Sequence, residues 1–116
     1  MTQILERAVE APEIVRALKP YGVTQLDVGS IAGVSDRAVR AWTQSSVARP
    51  ARYDKLAELR DLVLLLSDSL TPRGVGQWLH ARSRLLAGER PIDVLAVGRV
   101  EDVRRAAQSF IDGSYV

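Results

Sequence analysis

The chain contains no cysteine, a single histidine, and no apolar run longer than the five residues Leu62–Leu66. The lack of cysteine excludes disulfides, thiolate zinc sites and cysteine nucleophiles, and it suits a reducing compartment. The lone histidine, His80, falls in a helical stretch, where a surface or part-buried role outweighs metal binding or acid–base work. Five apolar residues fall far short of the roughly 20 that cross a bilayer. The opening MTQILERAVE carries acids, unlike a signal peptide, so the expected location is cytoplasmic, with no membrane partner. Proline and glycine number only 5 and 8, while 47% of residues are hydrophobic and 26% charged, which excludes collagen-like, low-complexity and disordered classes. Strand signals are scarce as well, because β-branched and aromatic residues nowhere alternate with polar ones over a useful length.

What is present is a chain of 116 residues, about one domain's worth, able to bury roughly two thirds of its unfolded surface in an ordinary core. The formal net charge is only +2, yet the pI is 9.4, because arginine far outnumbers lysine. Distribution says more than balance. From Arg37 to Arg60 six basic residues (Arg37, Arg40, Arg49, Arg52, Lys55, Arg60) face two acids, Asp54 and Glu58, so that stretch is locally cationic.

Apolar positions at three- and four-residue spacing recur throughout, and the fold class is all-α. A first helix begins near Ala11 or Pro12, carries Ile14, Val15 and Leu18 on one side, and stops at Pro20-Tyr21-Gly22. A second opens at Thr24 as N-cap and runs through Leu26, Val28 and Ile31 to Gly33. Ser35 caps a third, Asp36 to about Thr43, with Ala38, Val39 and Trp42 facing inward. After the irregular segment Gln44–Pro50, the spacing Leu56, Leu59, Val63, Leu66, Leu70 marks a long central helix. The run Leu62–Leu66 alone would also fit a buried strand, but leucine has weak strand preference and the flanking period is helical. Thr71-Pro72 caps a further helix with Val75, Trp78 and Leu79 that ends near Leu86 or Gly88. Pro91 begins a short helix, Ile92 to Val97, closed by Gly98. The last helix, with Val100, Val103, Ala107 and Phe110, is closed by Gly113 and leaves Ser114-Tyr115-Val116 as a tail. Residues 1–70 are read as one four-helix unit. Residues 71–116, too few to hold their own core, pack on the long helix. The leucine surplus on Tyr53–Leu70 fits a core first and a dimer seam second.

Two segments carry chemistry. In Thr24–Trp42 a small residue at Gly29 lets two helices approach, Gly33 suits a left-handed turn, Val34 plugs between the helices, Ser35 caps the second, and Val39 and Trp42 anchor it. On Gln25, Gly29, Gly33-Val34-Ser35, Val39 and Trp42 this segment resembles the helix-turn-helix of Xre-type repressors. The resemblance implies a second helix in the major groove, with Ser35, Asp36, Arg37, Arg40 and Gln44 turned to base edges or phosphates. Read from the residues alone, the same arginines also fit solvated surface on a helix pair kept for packing.

The second segment reads Trp78-Leu79, then Leu86-Ala87-Gly88-Glu89-Arg90-Pro91-Ile92-Asp93-Val94-Leu95, then Gly98 and Val103. From the residues it is a helix, a tight turn, a helix begun by proline, and another helix. In this order and spacing it is similar to the toxin-binding domain of the MbcA/ParS/Xre antitoxin family, and the two segments together cover most of the chain from Ala11 to Val116. Many members carry Asn shortly before the Leu-x-Gly element. Here Arg82-Ser83-Arg84 stands there, so Ser83 or a main-chain group must order the turn. The resemblance implies a type II antitoxin without turnover or cofactor of its own. It would be a homodimer within a hetero-oligomer, paired with a RES-domain toxin that destroys NAD, and it could also bind operator DNA. It further implies a toxin-binding surface at Trp78, Arg82 and Arg90, and a tail, Gly113, Ser114, Tyr115 and Val116, that enters the toxin cleft. Tyr115 offers a stiff flat ring there, and the terminal carboxylate a stand-in for phosphate. A stand-alone transcription regulator is the alternative. An enzyme is disfavoured, since no nucleophile, base and stabiliser come together in the sequence. Gly74-Val75-Gly76 lacks the preceding strand and third glycine of a dinucleotide loop.

Overall fold

Helix boundaries in this protein follow the chemistry of the residues at each end. The computed structural model describes residues 2–44 and 52–113. Among these it holds eight α-helices: α1 (Thr2–Arg7), α2 (Ala11–Leu18), α3 (Gln25–Ala32), α4 (Asp36–Gln44), α5 (Tyr53–Ser67), α6 (Pro72–His80), α7 (Pro91–Ala96) and α8 (Val100–Asp112). The described residues include no strand, only a lone antiparallel bridge between Ser83 and Glu89, and the fold is all-α. Most of the irregular segment expected at Gln44–Pro50 lies outside the described residues, as do Ser114, Tyr115 and Val116. At α3 the Thr24 hydroxyl accepts from the Asp27 N–H at 3.1 Å while the Asp27 carboxylate accepts from the Thr24 N–H at 3.0 Å, satisfying two end donors at once. Ser35 and Thr71 cap α4 and α6 by accepting from the Ala38 and Gly74 N–H groups, both at 3.1 Å. Pro72 and Pro91 open α6 and α7, where a missing N–H costs nothing.

Three boundaries differ from the sequence reading, each for a tertiary or local reason. The six-residue helix α1 has no counterpart in it. A segment this short is not helical by propensity alone. Leu5 and the following Ala8 are instead buried in the common core, and α5 ties down the link to α2: Arg60 donates to the Ala8 carbonyl at 2.9 Å and the Tyr53 hydroxyl donates to that of Val9. The central helix stops at Ser67 instead of Leu70. Helix α6 ends at His80, well before Leu86, because Ala81 is extended and Ser83 turns the chain back. The Ser83 hydroxyl accepts from the Leu85 N–H at 3.2 Å, its carbonyl accepts from Leu86 and Gly88 at 3.1 and 2.8 Å, and its own N–H donates to Glu89 at 3.0 Å. Ser83 thus orders the turn that lacks Asn, and a tight 3-10 turn, Arg84–Leu86, follows it.

The leucine stripe faces the core as its spacing requires. Leu56, Leu59, Leu62, Val63 and Leu66 of α5 are each at most 1% exposed, and full burial of such a side chain contributes about 1.5–3 kcal/mol. One hydrophobic cluster joins them to Leu5 of α1, Ile14 and Leu18 of α2, Val28 of α3, Val75 and Leu79 of α6, Val94 and Leu95 of α7, and Val103 and Ala107 of α8. Leu26, on the expected apolar side of its helix, instead points outward at 68% exposure.

The residues after Leu70 attach through an unusually close approach of main chains. Helix α6 crosses the turn Lys19–Tyr21 with Gly76 at the contact, and a Cβ there would stand 2.9 Å from the Tyr21 carbonyl oxygen. Gly22, at φ 74°, faces it, and its own Cβ would meet Gly76 Cα at 3.4 Å. The Gly-x-Gly of α6 is therefore a packing device. We expect Gly76→Ala to lower the unfolding free energy by about 1–3 kcal/mol in urea, as overpacking does. Gly74→Ala, whose Cβ would meet only side-chain atoms of Leu70 and Thr71 at 3.3 Å, should cost less. Equal stability of wild type and Gly76→Ala would contradict this packing.

Candidate partner-binding surfaces

The pair α3 and α4 has the local features that its sequence anticipates. Gly33 is left-handed at φ 73°, and a Cβ on Gly29 would lie 3.0 Å from the Val34 carbonyl oxygen, so a small residue there lets the turn close tightly over α3. Arg52 adds a support not visible in the sequence. Its Nε donates to the Ala32 carbonyl at 2.8 Å, placing a cation on the negative end of α3.

Arg37, Arg40 and Gln44 are exposed and fall at three- and four-residue spacing, so they share one stripe of α4. Ser35 precedes the helix, with its hydroxyl engaged in the cap. Asp36, the acid expected to face a duplex, is paired with Arg40 at 2.7 Å. Arg37 has no ion pair among the described residues.

Of the remaining candidates, Trp78 and Arg82 come together where α6, the turn after it and α8 meet. Trp78 is half-buried and packs against Phe110, with ring centroids 6.3 Å apart and planes at 54°, a tilted geometry favoured by ring quadrupoles. Arg82 donates to the Gly88 carbonyl at 3.1 Å. Arg90 is committed to its own helix, holding Asp93 through two bonds of 2.8 and 2.9 Å. That guanidinium keeps the Asp93 carboxyl below the usual carboxylate range. Gly113 ends α8 in the left-handed conformation at φ 69° and is exposed. The tail residues Ser114, Tyr115 and Val116 lie outside the described residues.

The sequence reading did not single out three residues here. Leu85 stands 40% exposed on the turn, and Arg84 lies beside it. Phe110, expected in the apolar stripe of the last helix, lines a groove of about 250 Å³ together with Trp78, Ala81, Arg82 and Leu85. A second hollow of about 330 Å³ also borders Leu85, against Arg99 and against Asp102 and Arg105 of α8. The i,i+3 spacing of Arg99 and Asp102, which pair at 2.8 Å, was the one signal that could have located that wall.

His80 links the two regions. Its Nδ1 lies 2.8 Å from the Gly76 carbonyl and its Nε2 lies 3.2 Å from Oδ2 of Asp27, the carboxylate that caps α3. No cluster of three or more histidine or acidic residues able to hold a metal occurs among the described residues. None of the described helices is long and apolar enough to cross a membrane.

No protein-family model matches the chain. A probable mycobacterial cidal antitoxin of Mycobacterium tuberculosis is 70% identical over 116 residues, the whole of both chains. The mycobacterial cidal antitoxin MbcA of Mycobacterium bovis is 29% identical over 110 residues, 93% of this chain and 96% of that one. A chain in the crystal structure of the M. tuberculosis MbcT–MbcA toxin–antitoxin complex matches the fold with a TM-score of 0.75 at 26% identity, over 91% of this chain and 96% of its own. With a relative 70% identical from end to end, the chain belongs to the mycobacterial cidal antitoxin family.

Proposed function

We propose that this chain is the antitoxin of a type II toxin–antitoxin pair. In this reading it neutralises a RES-domain toxin, an enzyme that destroys NAD, by setting its C-terminal segment into the toxin's active-site cleft. The observation that carries the reading is the fold match to a chain solved within a toxin–antitoxin complex, which extends over 91% of this chain. The resemblance of Gly88, Pro91, Asp93, Leu95, Gly98 and Val103 to the toxin-binding domain of the MbcA/ParS/Xre antitoxin family implies a RES-class partner. Helix α8 ends at the left-handed Gly113, which frees the following residues from the helix path. Ser114 and Tyr115 then bring a hydroxyl and an amphipathic ring to the cleft. The antitoxin itself turns over nothing and carries no cofactor.

In this division of labour residues 71–116 serve the toxin and residues 1–70 serve operator DNA and self-association. Arg37 and Arg40 meet DNA from α4, with Ser35 and Gln44 beside them. Arg40 then exchanges its bond to Asp36 for a phosphate or a base edge. Two copies pair through α5, on which Leu64 and Leu65 remain half-buried after the core is filled, and the pair's two-fold axis matches a palindromic operator.

Three outcomes follow. Truncation after Gly113 should raise the concentration needed to halt NAD loss by at least about tenfold, as expected for loss of an interface anchor, with helicity by circular dichroism unchanged. Full potency of the truncated chain would remove the plug, and a full-length chain that never halts NAD loss would leave the regulator reading. Arg37→Ala with Arg40→Ala should weaken operator binding and reduce the slope of log affinity against log salt by about 1.8, the contribution of two phosphate contacts. An unchanged slope and affinity would remove DNA from α4. Sedimentation of the isolated chain at micromolar concentration should show a dimer, and a monomer alone would discard the α5 seam.

A further inference from the structure

Arg52 holds two helices at once. It is the residue before α5 and adopts the left-handed conformation at φ 68°, which residues with a Cβ take uncommonly. Its carbonyl accepts from the Lys55 and Leu56 N–H groups at 3.1 and 3.5 Å, so its backbone belongs to the first turn of α5. Its side chain belongs to α3. Nε donates to the carbonyl of Ala32, the last residue of that helix, at 2.8 Å, and a Cβ on Gly33 would stand 2.7 Å from Nη2. The guanidinium therefore covers the turn between α3 and α4. Gly33 is glycine for two reasons, its positive φ and the space that this guanidinium takes.

Resting on the reading in which α4 meets operator DNA and α5 pairs two copies, we propose that Arg52 is a positioning residue for DNA recognition. It ties the α3–α4 turn to the start of α5 and so sets where the α4 stripe stands relative to the pairing helix. In a two-fold dimer the two recognition helices must reach successive major grooves, about 34 Å apart, and that distance depends on how α4 is carried on α5. Helix α4 packs chiefly on α2 and α3. Arg52 adds a directional bond from the first turn of α5 to the end of α3, just before the chain turns into α4 at Asp36. The bond is charge-assisted and lies on the negative end of a helix, which favours it over a neutral contact.

The inward bond distinguishes Arg52 from the arginines of α4. Arg37 and Arg40 act on the duplex, whereas Arg52 spends its Nε on a main-chain carbonyl and acts through α4. Glutamine separates this role from a phosphate contact, because its amide nitrogen is bonded to Cδ as the arginine Nε is. Arg52→Gln keeps an N–H donor for the Ala32 carbonyl and removes both the charge and the outer nitrogens. Arg52→Ala removes all three.

The test uses the full chain, a duplex of the DNA immediately upstream of its gene and a base-shuffled duplex of equal length, with affinity read at several salt concentrations. Thermal unfolding of each variant by circular dichroism sets an assay temperature well below every midpoint. Arg52→Ala should weaken binding to the upstream duplex at least about fivefold, the scale of one mismatched base pair. Its binding to the shuffled duplex should stay within about twofold of wild type. The slope of log affinity against log salt should match wild type, whereas loss of a phosphate contact lowers it by about 0.9. Arg52→Gln should bring the affinity for the upstream duplex back to within about twofold of wild type. If Arg52→Gln falls as far as Arg52→Ala, the Nε bond is not what matters and the proposal fails, with a slope lower by about 0.9 marking a phosphate contact instead. Unchanged affinity in Arg52→Ala, or equal losses on both duplexes, would also overturn it. A wild-type chain that binds neither duplex, or both alike, would remove the DNA reading of α4 and the proposal with it.

Discussion

The contact between α6 and the turn after α2 sets the arrangement of everything else. Main chain meets main chain there, with the Tyr21 carbonyl excluding any side chain at Gly76. That approach brings His80, one turn further along α6, within hydrogen-bond distance of Asp27 at the start of α3. Asp27 completes the Thr24 cap of α3, and α3 in turn seats α4 through Gly29 and the left-handed Gly33. The position of the α4 stripe and that of the α6–α8 end are therefore tied by a short chain of rigid contacts. A single hydrophobic cluster beneath them, from Leu5 to Ala107, leaves the two surfaces on one body.

Charge is organised by the same economy of distance. Exposed pairs such as Asp36–Arg40, Arg90–Asp93 and Glu101–Arg104 lie three or four residues apart on their own helices. Each stabilises the fold little, about 0.5 kcal/mol or less for a solvated helical pair. Their consequence is rather to cancel charge locally on α4, α7 and α8. Arg37 on α4 and Arg82 with Arg84 on the turn have no such partner among the described residues, and neither do Arg7, Arg16, Lys19 and Arg73. An overall charge of +2 hides this pattern, because recognition depends on where the unpaired guanidinium groups stand.

What the sequence made legible is what short-range chemistry decides. Thr24 and Ser35 as caps, Gly33 as a left-handed turn residue and the leucine stripe of α5 could all be assigned, since each depends on partners within a few positions. What stayed hidden depends on distant residues. Helix α1 depends on the burial of Leu5 in the common core and on Tyr53 and Arg60 of α5, which hold the Val9 and Ala8 carbonyls just after it. Gly76 belongs to a Gly-x-Gly that is not a dinucleotide loop, but its packing role emerged only with the Tyr21 carbonyl beside it. The early stop of α6 came from Ser83, whose hydroxyl and backbone together outcompete a helix that Leu85 and Leu86 would have allowed. Phe110 was legible as an apolar stripe residue, but its pairing with Trp78 across 6.3 Å, and the groove the two form, needed the tertiary fold.

The central claim is that the α6–α8 end receives the toxin while α4 faces elsewhere. Amide hydrogen exchange of the chain, alone and bound to its toxin, tests this most directly. The account expects added protection in the 82–86 turn and along α8 toward Gly113, with α4 unchanged. Protection gained on α4, with none on the turn or on α8, would contradict it.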